Sequence, residues 1–461
     1  MAFLIAAPRP DGWTFAEGTR LLKGAFQLDH STSVSELGSL FVPTGDQPVQ
    51  RMKRRLADAY GVAWSFPSTH GTTALNILSL LSACRPEGRV LVSRDAHSSV
   101  IAAMVHGGFE PVYVVPGYDA RLGVSLGPTV AAFREMLDRE AIDCVCLTSP
   151  NYFGIVGELG EIVALAHARG LPVVVDAAHA PHFHFCSGLP IAAEDVGADY
   201  VAQSTHKVAT ALSQGSLLLL NDASRIESLY EQVNELGLVS TSFSYPILAS
   251  LELGVRQLVH EGERIWSQTI DRAESFRSDC RTLPGIACFG REEATQPGFL
   301  DLDRTRVTID VRNTGLSGFE VARRLGHHGI YPEMATLQHV LFLFTPGTRD
   351  QDLEQLFGVL KEAIEHEATS RPVTILPPPP LPERGCLPRV ARFSPKHVVP
   401  VEAAIGSVSG ETIATYPPGV PIITAGERVS AEVVEYLRHM RHHGSVLKGA
   451  SDPRFDTIKV L

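Results

Sequence analysis

Along the chain, short uninterrupted apolar runs alternate with stretches where apolar residues return every three or four positions. RVLV (89–92), PVYVV (111–115), IDCVCLTSP (142–150), LPVVVD (171–176), ADYVAQ (198–203) and GSLLLLN (215–221) are the runs. They lack polar alternation, which suits strands buried on both faces. DQPVQRMKRRLADAYG (46–61) reads as a helix capped by Asp46, with Pro48 in its first turn and Gly61 as its stop. TTALNILSLLSAC (72–84), TVAAFREMLDRE (129–140) and EIVALAHARG (161–170) carry the helical period as well. Such alternation predicts an α/β fold with a mainly parallel central sheet. Ligands of such sheets collect at the carboxyl ends of the strands.

The texture changes near residue 255. RVTIDV (306–311), GFEVARRLGHHG (318–329), VLFLF (340–344) and the helix at 350–368 predict a smaller α+β domain. The proline-dense TILPPPPLPERG (374–385) reads as an extended linker, and a last segment ends in the helix SAEVVEYLRHMRHHG (430–444). The expected organisation is an N-terminal segment (1–35), a large domain (36–255), a small domain (256–370), a linker (371–385) and a C-terminal domain (386–461). No internal repeat interrupts it.

Composition narrows the class. With 461 residues, 44% of them hydrophobic and 20% charged, the chain is that of a multi-domain globular protein. A formal net charge of −11 argues against a dedicated nucleic-acid binder. No apolar run reaches membrane-spanning length, and MAFLIAAPRP lacks the basic start of a signal peptide. Seven scattered cysteines make no disulfide framework; Cys144 and Cys146 read as buried small hydrophobes rather than a metal pair. The expected location is the cytoplasm, with no membrane partner.

The candidate chemistry lies in the loops that follow the strands. PSTHGTTALN (67–76) sets small and hydroxyl residues at a helix start, which suits an anion and equally an ordinary N-cap. SRDAHSSV (93–100) presents His97, VVVDAAHAPHFHF (173–185) ends a buried strand on Asp176, and QSTHK (203–207) brings Lys207 to the end of another. A phosphate cradle, a flat ring, an acid and an amine are together what pyridoxal 5′-phosphate (PLP) requires: a lysine for its aldehyde and a carboxylate for its ring nitrogen. The spacing of His179, His182 and His184 also permits a metal reading, but no complete ligand set accompanies it, and no metal is expected. The histidines at 327–328 and 439–443 read as solvated helix ends.

In these same stretches the chain resembles the ornithine/lysine/arginine decarboxylase family of fold-type-I, aspartate-aminotransferase-like PLP enzymes. QSTHK with LSQ, DAAHAPHF, LTSPNYFG, SRDAHSSV and STSFSYPILASLE carry the resemblance, together with FSPKHVVPVEAAIG, YPPGVPIITAGE and GASDP near the C-terminus. It extends from about residue 26 onward and is that of a small form without an N-terminal wing. The resemblance implies that Lys207 forms the Schiff base, Asp176 pairs with the ring nitrogen, His97 stacks on one ring face and Ala178 packs on the other. It implies that Thr69, His70, Gly71, Ser204 and His206 hold the phosphate and that His179 lies on the oxygen side of the ring. It further implies a homodimer or a dimer of dimers with active sites between subunits. Ser240, Thr241 and Ser242 are then expected to reach the partner's phosphate, and Tyr416 and Glu427 its substrate entrance.

The reaction so implied is decarboxylation of arginine, lysine or ornithine to the corresponding amine, with Lys207 returning a proton to Cα and His97 assisting. HVLFLFTPGT (339–348) offers no arginine before Arg349 to fix an α-carboxylate as aminotransferases do, which points the same way. Two stretches depart from the family pattern: a Pro-Gly-His-Lys stretch is missing near the N-terminus, and Ala177 stands where an acid is common. The alternatives are a PLP enzyme with another outcome (transamination, oxidative deamination or elimination) and a non-catalytic regulatory member.

Overall fold

The apolar runs form one sheet in the computed structural model, which describes residues 37–241, 243–367, 375–416 and 419–461. The whole N-terminal segment (1–35), Ser242 and the start of the linker lie outside the described residues. The strands are β1 (Trp64–Ser68), β2 (Arg89–Ser93), β3 (Glu110–Val114), β4 (Cys144–Thr148), β5 (Val173–Asp176), β6 (Tyr200–Gln203) and β7 (Ser216–Leu220), in the order β1-β7-β6-β5-β4-β2-β3. Strands β3, β2, β4, β5 and β6 run parallel, and β7 runs antiparallel to both its neighbours. β5, β6 and β7 are buried at every position, as two covered faces require.

β1 has no clear periodic signal and contains Pro67. It is an edge strand bonded only to β7, and an edge tolerates a residue with no N–H to donate. Helix Pro48–Tyr60 ends at Gly61, whose φ of 65° is the left-handed value a glycine adopts cheaply. Its cap differs from expectation: Gln47 holds that position without a side-chain bond, because the Asp46 carboxylate pairs with Arg54 instead (3.0 Å).

The 36-residue helix Tyr245–Cys280 crosses the expected seam at 255–256. Its residues from Leu248 to Ile270 pack in the large apolar core, whereas Ala273, Phe276 and Cys280 pack in that of the small domain. There, Ala287–Cys288, Arg306–Asp310, His339–Leu343 and Met334–Ala335 form a four-stranded sheet. A third core, from Val401 to Val460, belongs to the C-terminal segment. Among the described residues no helix is long and apolar enough to cross a membrane.

Candidate active site

The carboxyl ends of β2, β4, β5 and β6 open onto one crevice, where His97, Thr148, Asp176, Ala178, His179 and Lys207 share the wall. His97 and Lys207 are exposed by area, next to the buried Ala96 and Val208, and both line the crevice. Lys207 sits in the four-residue helix Thr205–Val208 at the end of β6. Close packing and the Arg306 charge hold its pKa below the ordinary lysine value, with Asp176 acting in the opposite direction.

Hydrogen bonds fix the proton positions around this amine. The Arg306 guanidinium donates to His179 Nδ1 (2.5 Å), and His179 Nε2 lies 3.1 Å from Lys207 Nζ. Arginine can only donate, so Nδ1 is the acceptor. Burial, with Lys207 and Arg306 nearby, holds the His179 pKa well below its usual value, so the ring is neutral and its one proton is on Nε2. That N–H points at Nζ, which therefore offers a lone pair. The arrangement presents Lys207 as a free amine.

A second chain fixes the acid. Asp176, 4% exposed, accepts from Asn76 Nδ2 (2.8 Å) and from the Ala178 N–H (3.2 Å). Asn76 Nδ2 also donates to Ser99 Oγ (3.0 Å), which lies 2.8 Å from His97 Nδ1. The Ser99 N–H donates to that same Nδ1 (3.2 Å). Nδ1 is an acceptor, so the proton of neutral His97 is on Nε2. Burial lowers the His97 pKa, against the pull of Asp176.

The residues expected at a phosphate form an adjoining group at the start of helix Gly71–Ala83. The Ser204, Thr72 and Ser216 hydroxyls form a buried chain, with 2.5 Å and 3.2 Å between neighbours. The Gly71 N–H donates to the Gln214 carbonyl, and both His206 N–H and its Nδ1 meet the Gly215 carbonyl. Gln214 adopts φ of 73°, a strained value for a residue with a side chain, at the point where the lysine loop is tied to the helix start. Thr69 Oγ1 lies 3.3 Å from His70 Nδ1. The helix start, the hydroxyls, a lysine and a held carboxylate have the chemistry that PLP needs.

Some expected residues lie elsewhere. Glu427 is 2% exposed in the single chain, and its carboxylate is bound to Arg94 (2.9 Å) and the Thr424 N–H of its own chain. Thr415, Gly419 and Val420 of the C-terminal segment line the crevice of their own chain, and the neighbouring Tyr416 is exposed. Thr241 is exposed, while the Ser240 N–H donates to His70 Nε2 within the chain. The three spaced histidines diverge: His182 is buried against Trp266, and His184 pairs with Asp195 (2.7 Å). Arg349 forks onto Asp352, away from the crevice.

Sequence reasoning missed Asn76, Ser99 and Arg306. A buried asparagine within the apolar helix Gly71–Ala83 was a usable signal. Arg306 carried none: it opens an apolar strand of the other domain.

Profiles of the "Orn/Lys/Arg decarboxylase, major domain" and "Orn/Lys/Arg decarboxylase, C-terminal domain" match residues 18–307 and 389–451. The arginine decarboxylase of Halalkalibacterium halodurans is 31% identical over 438 residues, 93% of this chain and 88% of that protein. The constitutive lysine decarboxylase of E. coli superposes with a TM-score of 0.79 at 22% identity, over 97% of this chain and 77% of that one. A serine palmitoyltransferase variant from S. paucimobilis holding a PLP–myriocin adduct superposes at 0.55 with 16% identity, over 74% and 83% of the two chains. The fold is that of these PLP enzymes, with a mostly parallel central sheet, and the chain belongs to the Orn/Lys/Arg decarboxylase family.

Proposed function

We propose that this protein is a PLP-dependent decarboxylase that converts a basic amino acid to its amine, working as a cytoplasmic homodimer or dimer of dimers. The observation that carries the reading is the convergence of a lone-pair amine at Lys207, a held carboxylate at Asp176 and an exposed imidazole at His97 on one crevice. PLP, when bound, supplies an electron sink that allows a bond to the substrate's Cα to break. Lys207 would hold its carbonyl, Asp176 its ring nitrogen and His97 one ring face, with Ala178 on the other. The hydroxyls of Thr72, Ser204 and Ser216 and the first-turn N–H groups would hold its phosphate.

Lys207, displaced when the substrate amine takes its place, would use its lone pair to accept a proton from that amine and, as the ammonium, is positioned to return it to Cα; the His97 Nε2–H faces the same space. Among the described residues no arginine lines the crevice. Arg306 is spent on His179, the Tyr152 carbonyl and Asp303. A substrate carboxylate is thus left without the clamp that would retain it, which favours its loss over transamination.

The test is incubation of the purified protein with arginine, lysine and ornithine, with release of carbon dioxide and of agmatine or a diamine as readouts. Lys207→Ala is expected to lower the rate by about 10²–10⁴-fold and to abolish the borohydride-sensitive visible band while leaving the fold intact. Release of keto acid or peroxide in place of carbon dioxide would overturn the reading.

A further inference from the structure

Two carboxylates among the described residues line the crevice, Asp95 and Asp176. Asp176 is committed to Asn76 and the Ala178 N–H. Asp95 has a different standing. It lies partly buried in the loop after β2, and its Oδ1 accepts from Ser93 Oγ at 2.5 Å. No lysine, arginine or histidine among the described residues pairs with it. Three other enclosed acids have an arginine each: Glu427 has Arg94, Asp303 has Arg306 and Asp310 has Arg312. A carboxylate held close to protein without a counter-charge is costly unless a cation arrives from outside.

We propose that Asp95 recognises the distal cation, ammonium or guanidinium, of the amino-acid substrate, and so sets the preference for a basic side chain. The inference rests on the decarboxylase reading and extends it to the group that selects the substrate. Asp95 stands two residues before His97, a separation of at most about 7 Å along the backbone. Both residues line the crevice, so a substrate whose Cα lies beside His97 has Asp95 within reach of an extended side chain. Tyr118, Leu337, Ile422, Tyr436 and Met440 line the same crevice and can cover the methylene stem of a lysine or arginine. In so apolar a setting, pairing with a carboxylate outweighs what the same pair contributes in water. Burial without a partner pushes the Asp95 pKa up to about 6, so it is largely ionised at neutral pH and gains from a cation.

The experiment compares wild type with Asp95→Asn and with Asp95→Ser, which keeps a hydroxyl for the turn. Holoenzyme turnover is measured for lysine and arginine and for their uncharged counterparts norleucine and citrulline. KM for the charged substrate should rise about 10- to 100-fold, with kcat changed by less than about threefold, the scale of an interaction not confined to the transition state, and the preference over the uncharged counterpart should collapse. Calorimetry on borohydride-reduced holoenzyme should show the same loss of affinity for the charged amino acid without any turnover. Unchanged KM and affinity in both variants, or a loss of kcat alone, would overturn the assignment. Should the wild type decarboxylate none of the basic amino acids, the proposed function fails. The calorimetric comparison still judges Asp95 separately.

Discussion

Arg306 shows how much of a site depends on one residue that never touches the crevice. Its guanidinium is fully enclosed, bound to Asp303, the Tyr152 carbonyl and His179. By donating to Nδ1 it fixes the His179 tautomer and, through it, the free-amine state of Lys207. Arg306→Lys keeps a charge for Asp303 but loses the planar fork. In that variant the ¹⁵N signals of His179 should show both tautomers where wild type shows one. The apo-protein should then capture PLP at pH 7 more slowly by about tenfold, the effect of about 1.4 kcal/mol. Wild-type tautomer and capture rate would show that the arginine serves packing alone. Lys207, Asp176 and His97 were legible because each follows an apolar strand in the sequence, where chemistry is expected. Arg306 and His179 lie 127 positions apart, and only the packing of two domains makes them partners.

At the scale of elements, the buried strands and their helices were legible because burial on both faces writes itself as unbroken apolar runs. The central six residues of helix Ser98–Gly107 are apolar without a break and the helix begins in a loop read for its chemistry, so its period was masked. Strand β6, which delivers Lys207, depends on a support that no pattern showed. Gln203 at its end donates to Glu194 Oε1 (3.0 Å), and Glu194 is buried with no cation bonded to it among the described residues. Burial raises the Glu194 pKa from 4.5 to about 7. A raised folded-state pKa means that the neutral acid is the form the fold favours. Its contribution is complete below about pH 4.5 and is lost as pH rises through about 7, on the order of 3 kcal/mol in all. Glu194→Gln is neutral throughout, so its stability in urea unfolding should exceed that of wild type at pH 8 and converge with it near pH 4. Parallel pH curves for the two proteins would refute the buried charge.

At the scale of the whole molecule, the crevice exists because three separately cored units meet around it. The small domain reaches the large one through Gln338 Nε2, which donates to the Gly123 carbonyl (2.6 Å), and through His339 Nε2 and the Leu122 carbonyl (2.9 Å). The C-terminal unit is held by Arg384 on Glu110 (2.7 Å) and by the enclosed pair Arg94–Glu427, with Arg94 stacked 4.6 Å from the Tyr113 ring centre. Ile422 and Tyr436 of that unit form crevice wall, so docking and substrate binding are coupled. Glu427→Gln leaves the arginine enclosed without its charge partner and should weaken docking by about 2–5 kcal/mol. Hydrogen exchange should speed up across helix Ala431–His442, and KM should rise while borohydride still fixes PLP to Lys207, because that lysine stands on another unit. Adding Arg94→Met removes the stranded charge, and the double variant should recover part of the loss. Exchange in Glu427→Gln as slow as in wild type would instead mean that the surrounding surface, not this pair, holds the unit in place.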